Sequence, residues 1–170
     1  GIVLIFSSKM KQLVMSFDED KVGKIVTNLL SNAFKFTPEG GHVEVSLNIL
    51  PTTPTSSTET LEIRVADTGI GVADEDKEKI FDRFYQAKST ESQLFGGSGV
   101  GLNLVREFSI LHSGSVRVVD NEGRGSVFIV TIPIQHINSL EKIKNNSVKT
   151  LINEKEPEQK IDVNEEIKKV

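Results

Sequence analysis

The sequence predicts an α+β fold in which helices cover one face of a mixed β-sheet, giving two layers. One observation is the spacing of apolar residues between Lys21 and Phe36, which recurs with the period of a single amphipathic helix. The other is a series of short apolar segments joined by loops rich in Pro, Gly, Asn and Thr, as in β-hairpins. Strands paired in hairpins with helices between them favour a sheet of five or more strands with three helices on one face.

Each element has its own local signal. The strands are predicted at residues 2–6, 12–17, 43–50, 61–66, 115–120 and 125–134. The segment 51–60 is polar and is expected as a surface loop, whereas 121–123 is a tight turn between the last two strands. Helices are predicted at 21–36, 74–84 and 100–112; the first follows an acidic segment, 18–20, that can cap free N–H groups.

The domain is predicted to end near residue 135. Residues 1–135 carry all of the elements above, whereas 136–170 hold sparse apolar residues among Lys, Glu and Asn and are expected to be a polar linker or a disordered tail. A terminal helix at 138–152 is the alternative, because its apolar residues partly fit a stripe. The chain begins without Met and inside a strand, so we expect upstream sequence to be missing.

Composition narrows the classes of function. With 170 residues, 37% apolar and 26% charged, the chain suits one globular domain. A formal net charge of -4 gives no basic excess, so nucleic acid is not an expected partner. The absence of cysteine excludes disulfides and thiol chemistry. The first apolar run, 1–6, is too short to span a bilayer, so no direct membrane contact is expected.

Three polar clusters could carry chemistry. Asn28, Asn32 and Lys35 share one side of the long helix, where amide oxygens suit Mg²⁺ and an ammonium suits phosphate. The cluster 67–71, Asp-Thr-Gly-Ile-Gly, follows a strand, where a carboxylate can accept an amine and glycines permit close approach. The cluster 97–102, Gly-Ser-Gly-Val-Gly-Leu, opens a helix, where free N–H groups favour phosphate. Each alone is more often a solvated face or an ordinary loop, but their order together favours a nucleotide site.

These clusters resemble the motifs of one family, the ATP-binding catalytic domain of bacterial two-component sensor histidine kinases. Residues 28–38 are similar to its N box, 65–71 to its G1 box, 80–85 to its F box and 97–102 to its G2 box. The resemblance covers residues 20–134. It implies the Bergerat type of two-layer α/β sandwich, the histidine kinase-like ATPase fold.

The resemblance also implies roles for individual residues. Asn32 would coordinate Mg²⁺, Asn28 and Lys35 would lie near the ATP phosphates as the catalytic pair, Phe36 would lie against the adenine, and Asp67 would accept the adenine amino group. Residues 86–98 would form a mobile lid. The loops would complete the ATP contacts through Gly69, Ile70, Gly71, Gly97, Ser98, Gly99, Val100, Gly101 and Leu102.

Two departures from the family pattern stand out. Gln86 occupies a position where the family often has an arginine that reaches the γ-phosphate, which leaves Arg83 or Lys88 as weaker candidates. The family's acceptor-histidine motif is absent: His42, His112 and His136 lie in other contexts and are expected to be structural or solvated.

The resemblance implies transfer of the γ-phosphoryl group of ATP to a histidine on a separate helical dimerisation domain, with a response regulator receiver domain next in the relay. Asn28 stands where hydrolases of the wider superfamily carry a glutamate base. The fragment would be a monomeric, cytoplasmic portion of a membrane-anchored sensor, and the polar tail suggests a hybrid kinase. A serine kinase of the anti-sigma type and a non-catalytic ATP-sensing module, which Gln86 would suit, are the alternatives.

Overall fold

A computed structural model describes residues 1–52, 58–87 and 98–135, together with the backbone of two short strands at 150–152 and 160–162. Gly97, Lys88, His136 and most of the predicted lid lie outside the described residues, as does most of the alternative helix at 138–152. The boundary at residue 135 stays a prediction, although two short strands occur beyond it.

The main sheet has six strands in the order β5-β6-β4-β3-β1-β8. Strand β1 runs parallel to β3 and every other neighbouring pair is antiparallel, so the sheet is mixed as predicted. A separate two-stranded sheet pairs β2 with β7. The strands are β1 Val3–Ser8, β2 Gln12–Val14, β3 His42–Leu50, β4 Thr60–Asp67, β5 Ser115–Asp120, β6 Ser126–Pro133, β7 Thr150–Ile152 and β8 Lys160–Asp162.

Two α-helices, α1 Glu19–Phe36 and α2 Gly101–Leu111, and a 3₁₀ helix, Lys79–Phe81, are found in the described part of the chain. The Asp18 side chain caps α1 by accepting the Lys21 N–H at 3.1 Å, as the acidic entry predicted. The prediction of a continuous helix over 74–84 is wrong. Asp82 is extended and Phe84 has a φ of 65°, so the chain turns away after the short 3₁₀ helix.

The core lies between one face of the sheet and the helices. The stripe Ile25, Leu29 and Ala33 on α1 is buried against alternate residues of the central strands, including Val43 and Val65. This arrangement confirms the predicted two-layer α+β class. No helix in the described part of the chain has the length and apolar character needed to cross a membrane.

Strand order sets where the site forms. Because β6 pairs with β4 and brings Val127 opposite Ala66, the turn between β5 and β6 lies beside the end of β4. The loop after β4 then reaches the end of α1, where the Ile70 N–H donates to the Phe36 carbonyl at 3.3 Å. The end of α1, the end of β4 and the β5–β6 turn therefore meet in one place.

Candidate nucleotide site

A cavity of about 780 Å³ opens at this meeting point and extends along α1 to the start of α2. Its volume is in the range of small-molecule and cofactor sites. The structure brings most of the predicted site residues to its wall: Asn28, Asn32, Lys35, Phe36, Asp67, Ile70, Gly71, Ser98, Gly99, Gly101 and Leu102. Gly69 and Val100 do not line it, and Gly97 lies outside the described residues.

The α1 wall carries the polar cluster that the helical spacing predicted. Asn28 Nδ2 donates to the Lys24 carbonyl at 2.7 Å, which orients the amide on the helix. A Cβ added at Gly101 would lie 2.7 Å from Asn28 Oδ1, so the start of α2 is close to this amide. The Lys35 ammonium lies 5.1 Å from the centre of the Phe36 ring. The amides and the ammonium thus occupy one wall, between α2 and the end of α1.

Asp67 is a buried carboxylate at the end of the cavity away from the start of α2, with 4% of its surface exposed. Its Oδ1 accepts the N–H groups of Gly69 at 2.8 Å and Ser126 at 3.3 Å. Burial raises the pKa of this carboxyl, and the two backbone N–H groups oppose that rise by stabilising the charge. A fixed, poorly hydrated acceptor of this kind is suited to an amino group on a flat ring.

The two glycines of the loop after β4, Gly69 and Gly71, have different surroundings. A Cβ added at Gly69 would lie 2.4 Å from the Phe36 carbonyl oxygen, so this glycine packs the loop onto α1 rather than facing the cavity. Gly71 lines the cavity with a φ of +77°. Only Gly71 of this pair therefore offers backbone directly to a ligand.

The first turn of α2 is suited to an anion. The residue before the helix, Val100, supplies no side-chain cap, and the first turn contains no acidic residue. Free N–H groups at a helix start, together with the helix dipole, favour phosphate. Gly99 has a φ of +67° and its carbonyl accepts the Phe84 N–H at 2.8 Å, which joins the helix entrance to the end of the F-box segment.

The turn between β5 and β6 contributes residues that the sequence reasoning missed. Asn121 Nδ2 donates to the Asp67 carbonyl at 2.8 Å, and Arg124 Nε donates to the Gly69 carbonyl at 3.1 Å. A Cβ at Gly125, whose φ is +100°, would lie 2.0 Å from the Asp67 carbonyl oxygen. The sequence shows a polar turn with two glycines here, and this pattern does not predict that the turn packs against β4.

The structure distinguishes two of the positions considered for the γ-phosphate contact. Gln86 lines the cavity, whereas Arg83 does not and instead lies over the Phe84 ring at 4.8 Å. Lys88 lies outside the described residues. Of the described residues that line the cavity, Lys35 and Arg124 are the cations.

Neither described histidine faces the cavity. His112 ends α2; its Nε2 accepts the Asp18 N–H at 3.2 Å and its Nδ1 lies 2.7 Å from the Phe108 carbonyl. His42 begins β3 and is exposed, and its backbone N–H donates to Thr68 Oγ1. Both therefore occupy positions outside the site.

The residues present fit a nucleotide with Mg²⁺. Gly71, Gly99 and Gly101 keep the wall free of side chains where a ligand would approach, and Asn32 offers a hard amide oxygen. In the described ranges, no group of three or more His, Cys, Asp or Glu side chains is placed to hold a metal. A magnesium ion would accordingly need phosphate oxygens and water as its other ligands, which is how Mg²⁺ commonly binds with nucleotides.

Comparison with known proteins agrees with this geometry. Residues 17–136 match the family described as histidine kinase-, DNA gyrase B-, and HSP90-like ATPase. Sensor histidine kinase WalK of Bacillus subtilis is 37% identical over 123 residues, covering 72% of this chain and 19% of that protein. Hybrid signal transduction histidine kinase D of Dictyostelium discoideum is 38% identical over 122 residues, covering 72% of this chain and 8% of that protein. The chain thus spans less than a fifth of either relative.

Solved structures give the same result. The mycobacterial sensor histidine kinase MprB superimposes with a TM-score of 0.64 at 26% identity, over 80% of this chain and 84% of that one. Full-length ShkA in complex with AMPPNP superimposes with a TM-score of 0.67 at 28% identity, over 82% of this chain and 27% of that one. The chain belongs to the histidine kinase-, DNA gyrase B- and HSP90-like ATPase family, and within it to the ATP-binding catalytic domains of sensor histidine kinases.

Proposed function

We propose that this domain binds ATP with Mg²⁺ and transfers the γ-phosphoryl group to a histidine on a separate helical dimerisation domain of the same sensor kinase. The observation that carries the proposal is one cavity with a buried carboxylate, Asp67, at one end and the uncapped start of α2 at the other. The first suits a base with an exocyclic amine and the second suits phosphates.

At the base end, Asp67 accepts the adenine amino group and Phe36 offers a ring face to the purine. Adenine is preferred over guanine because guanine presents a carbonyl where adenine presents the amine. The backbone at Gly71 permits close approach of the ring. We propose these residues as the determinants of base selectivity.

At the phosphate end, the start of α2 donates N–H groups, and Lys35 and Asn28 add a charge and an amide from α1. Asn32 would hold Mg²⁺ through its amide oxygen, and such an ion would supply charge neutralisation at the phosphates. Ser98, Gly99 and Gly101 leave room for the chain of phosphates. Positioning and charge neutralisation are then the domain's main contributions to the reaction.

Hydrolysis is disfavoured because, among the described residues, the cavity offers no carboxylate without a hydrogen-bond partner to act as general base. Three carboxylates line it in the part of the chain that the structure describes, and each is already engaged. Asp67 holds backbone N–H groups, Asp76 accepts the Tyr85 hydroxyl at 2.6 Å, and Asp120 accepts the Lys77 ammonium at 2.8 Å. Asn28, at the position of the hydrolytic glutamate, cannot take a proton from water.

The acceptor is expected on another domain because neither described histidine lines the cavity. Such a domain would carry its histidine to the phosphate end, and a receiver domain would take the phosphoryl group next. As part of a sensor kinase, the domain would act on the cytoplasmic side of a membrane-anchored protein, and a polar tail of this kind would suit a hybrid kinase.

A phosphotransfer assay tests the proposal. The domain is incubated with γ-labelled ATP and Mg²⁺, first alone and then joined to a helical histidine-bearing dimerisation domain. We expect acid-labile label on the helical domain only in the joined protein, and loss of Mg²⁺-dependent transfer in Asn32→Ala. Rapid multiple-turnover release of phosphate by the isolated domain would contradict the proposal.

A binding module that senses ATP without transferring phosphate is the second candidate, favoured by Gln86 at the cavity wall. It predicts ATP binding with no label on any helical domain. The variant Gln86→Arg distinguishes the kinase from the sensor, because it introduces the cation that the family often has at this position. A higher rate of phosphoryl transfer in the variant supports a kinase with a weakened phosphate contact. No transfer by either the wild type or the variant supports the sensor. A serine kinase of the anti-sigma type would label a protein serine with an acid-stable bond.

A further inference from the structure

The turn at residues 121–125 forms a wall of the cavity that lies outside the four sequence motifs. Asn121, Gly123, Arg124 and Gly125 all line the cavity. Two of their side chains are fixed to the end of β4 and the loop that follows it, since Asn121 donates to the Asp67 carbonyl and Arg124 donates to the Gly69 carbonyl. The turn is therefore packed against the same segment that carries the proposed base-binding carboxylate, Asp67.

We propose that Arg124 is a specificity-determining residue of the nucleotide site, with its guanidinium forming the outer wall against which the nucleobase lies. The inference rests on the proposed function and extends it to a residue of the β5–β6 turn. A guanidinium is planar and weakly hydrated, so it can lie flat on a purine while one N–H remains bonded elsewhere.

Position along the cavity assigns Arg124 to the base rather than to the phosphates. Its partner Gly69 packs against the Phe36 carbonyl at the end of α1, whereas the start of α2 lies beside Asn28. Asn28 and Phe36 are eight residues apart on one helix, which is about 12 Å along its axis. Arg124 is thus anchored at the Asp67 end, about 12 Å along the helix axis from Asn28 and the start of α2.

The anchor also fixes the orientation of the side chain. The Nε–H of Arg124 donates to Gly69 at 3.1 Å, so the guanidinium plane is held at its inner edge. Gly125 next to it lies so close to Asp67 that even a methyl group would clash, which leaves the turn little freedom to move away. A long, exposed arginine held in this way loses less entropy when a base packs on it.

Competition binding tests the inference. The dissociation constants of ATP, ADP and adenosine are measured by displacement of a fluorescent adenine nucleotide from the whole chain. For Arg124→Ala we expect all three ligands to weaken by the same factor, about 3- to 10-fold, because the lost contact involves only the base. Arg124→Lys keeps the positive charge but lacks the planar guanidinium, so its affinities should be as low as those of Arg124→Ala.

The other outcomes are equally informative. A loss that grows from adenosine to ADP to ATP, or recovery in Arg124→Lys, would assign the side chain to phosphate and overturn the inference. Unchanged affinity for all three ligands would also overturn it. If the wild-type chain bound none of them, the proposed function itself would fail, which is a distinguishable result.

Arg117→Ala is the matched control. Arg117 is an exposed arginine on β5, in the same hairpin, and it does not line the cavity. We expect it to leave all three dissociation constants unchanged. Both alanine variants should melt within a few degrees of the wild type, and Arg124→Gln, which keeps a planar amide, provides a second test if Arg124→Ala is poorly folded.

Discussion

Replacing Asp67 with asparagine should separate what this residue contributes to binding from what it costs the fold. The two side chains have the same shape. The asparagine oxygen can keep the bonds that Asp67 Oδ1 accepts from the N–H groups of Gly69 and Ser126. The change therefore removes the charge and turns the other oxygen into an N–H donor while leaving the backbone in place.

Binding of ATP should weaken strongly. The proposed hydrogen bond between the carboxylate and the adenine amino group would be lost, and two donors would face each other instead. A hydrogen bond to a charged group contributes about 1.5–3 kcal/mol, which corresponds to roughly a 10- to 100-fold rise in the dissociation constant of ATP. A base that carries an oxygen in place of the amine, as in ITP, would accept from the new amide, so the preference between ATP and ITP should narrow or reverse.

Asp67→Asn should weaken ATP binding but increase the stability of the fold at neutral pH. Burial raises the pKa of Asp67 above 3.8, so the folded state favours the protonated form. The contribution of this carboxyl to stability is therefore fully present below pH 3.8 and is lost as the pH rises through the raised value. At neutral pH the buried charge costs stability, and Asp67→Asn should unfold at a higher denaturant concentration than the wild type.

Two measurements check this reasoning. Urea denaturation of both proteins, at neutral pH and close to pH 4, should show an advantage for the variant that shrinks as the solution becomes acidic. Titration with ATP and ITP gives the affinities. A variant that is less stable at neutral pH would refute the argument from the buried charge. A variant that binds ATP as tightly as the wild type would refute the placement of the adenine at this carboxylate.

Four glycine substitutions test the site and its surroundings. Gly125→Ala should lower the free energy of unfolding by about 2–4 kcal/mol, because the new Cβ clashes with the Asp67 carbonyl and the φ of residue 125 is positive. Gly123→Ala also has a positive φ but has open space around it, so it should lower the free energy of unfolding by only about 1 kcal/mol. Chemical denaturation of both variants measures the two values. Gly101→Ala places a Cβ 2.7 Å from an amide oxygen of α1, so ATP affinity in a calorimetric titration should fall roughly 10-fold with little change in melting temperature. Gly23→Ala, on α1 with nothing within 4 Å, should raise the free energy of unfolding by up to about 1 kcal/mol and leave ATP affinity unchanged; a loss of affinity would show that α1 responds to remote changes.

Local sequence signals predicted the elements whose cause is local. The apolar stripe of α1 and the capping carboxylate of Asp18 specify that helix without help from the sheet. The predicted helix at 74–84 failed because its apolar residues, Ile80 and Phe81, also suit a short 3₁₀ helix packed on the core. Phe84 then adopts a positive φ and Tyr85 bonds back to Asp76, contacts that helical spacing does not encode.

The same distinction applies to the site. Asn28, Asn32 and Lys35 could be placed together because helix geometry alone puts them on one side. Arg124 could not be connected with Gly69, because 55 residues separate them and their contact depends on β6 pairing with β4. Sheet order is a property of the whole chain, so a turn motif read in isolation gives no indication of which loop it will contact.

The two ends of the cavity are built from different kinds of interaction, and this decides where function conflicts with stability. At the proposed base end a charged group, Asp67, is buried and held by backbone N–H groups, so the proposed selectivity for an amine would be fixed before any ligand binds but would carry a desolvation cost. At the phosphate end the groups are the uncapped start of α2 and the half-buried side chains of Asn28, Asn32 and Lys35 on α1. Removing the Asp67 charge should therefore stabilise the domain at neutral pH and reduce selectivity for adenine, whereas substitutions at the phosphate end should change affinity with little effect on the fold.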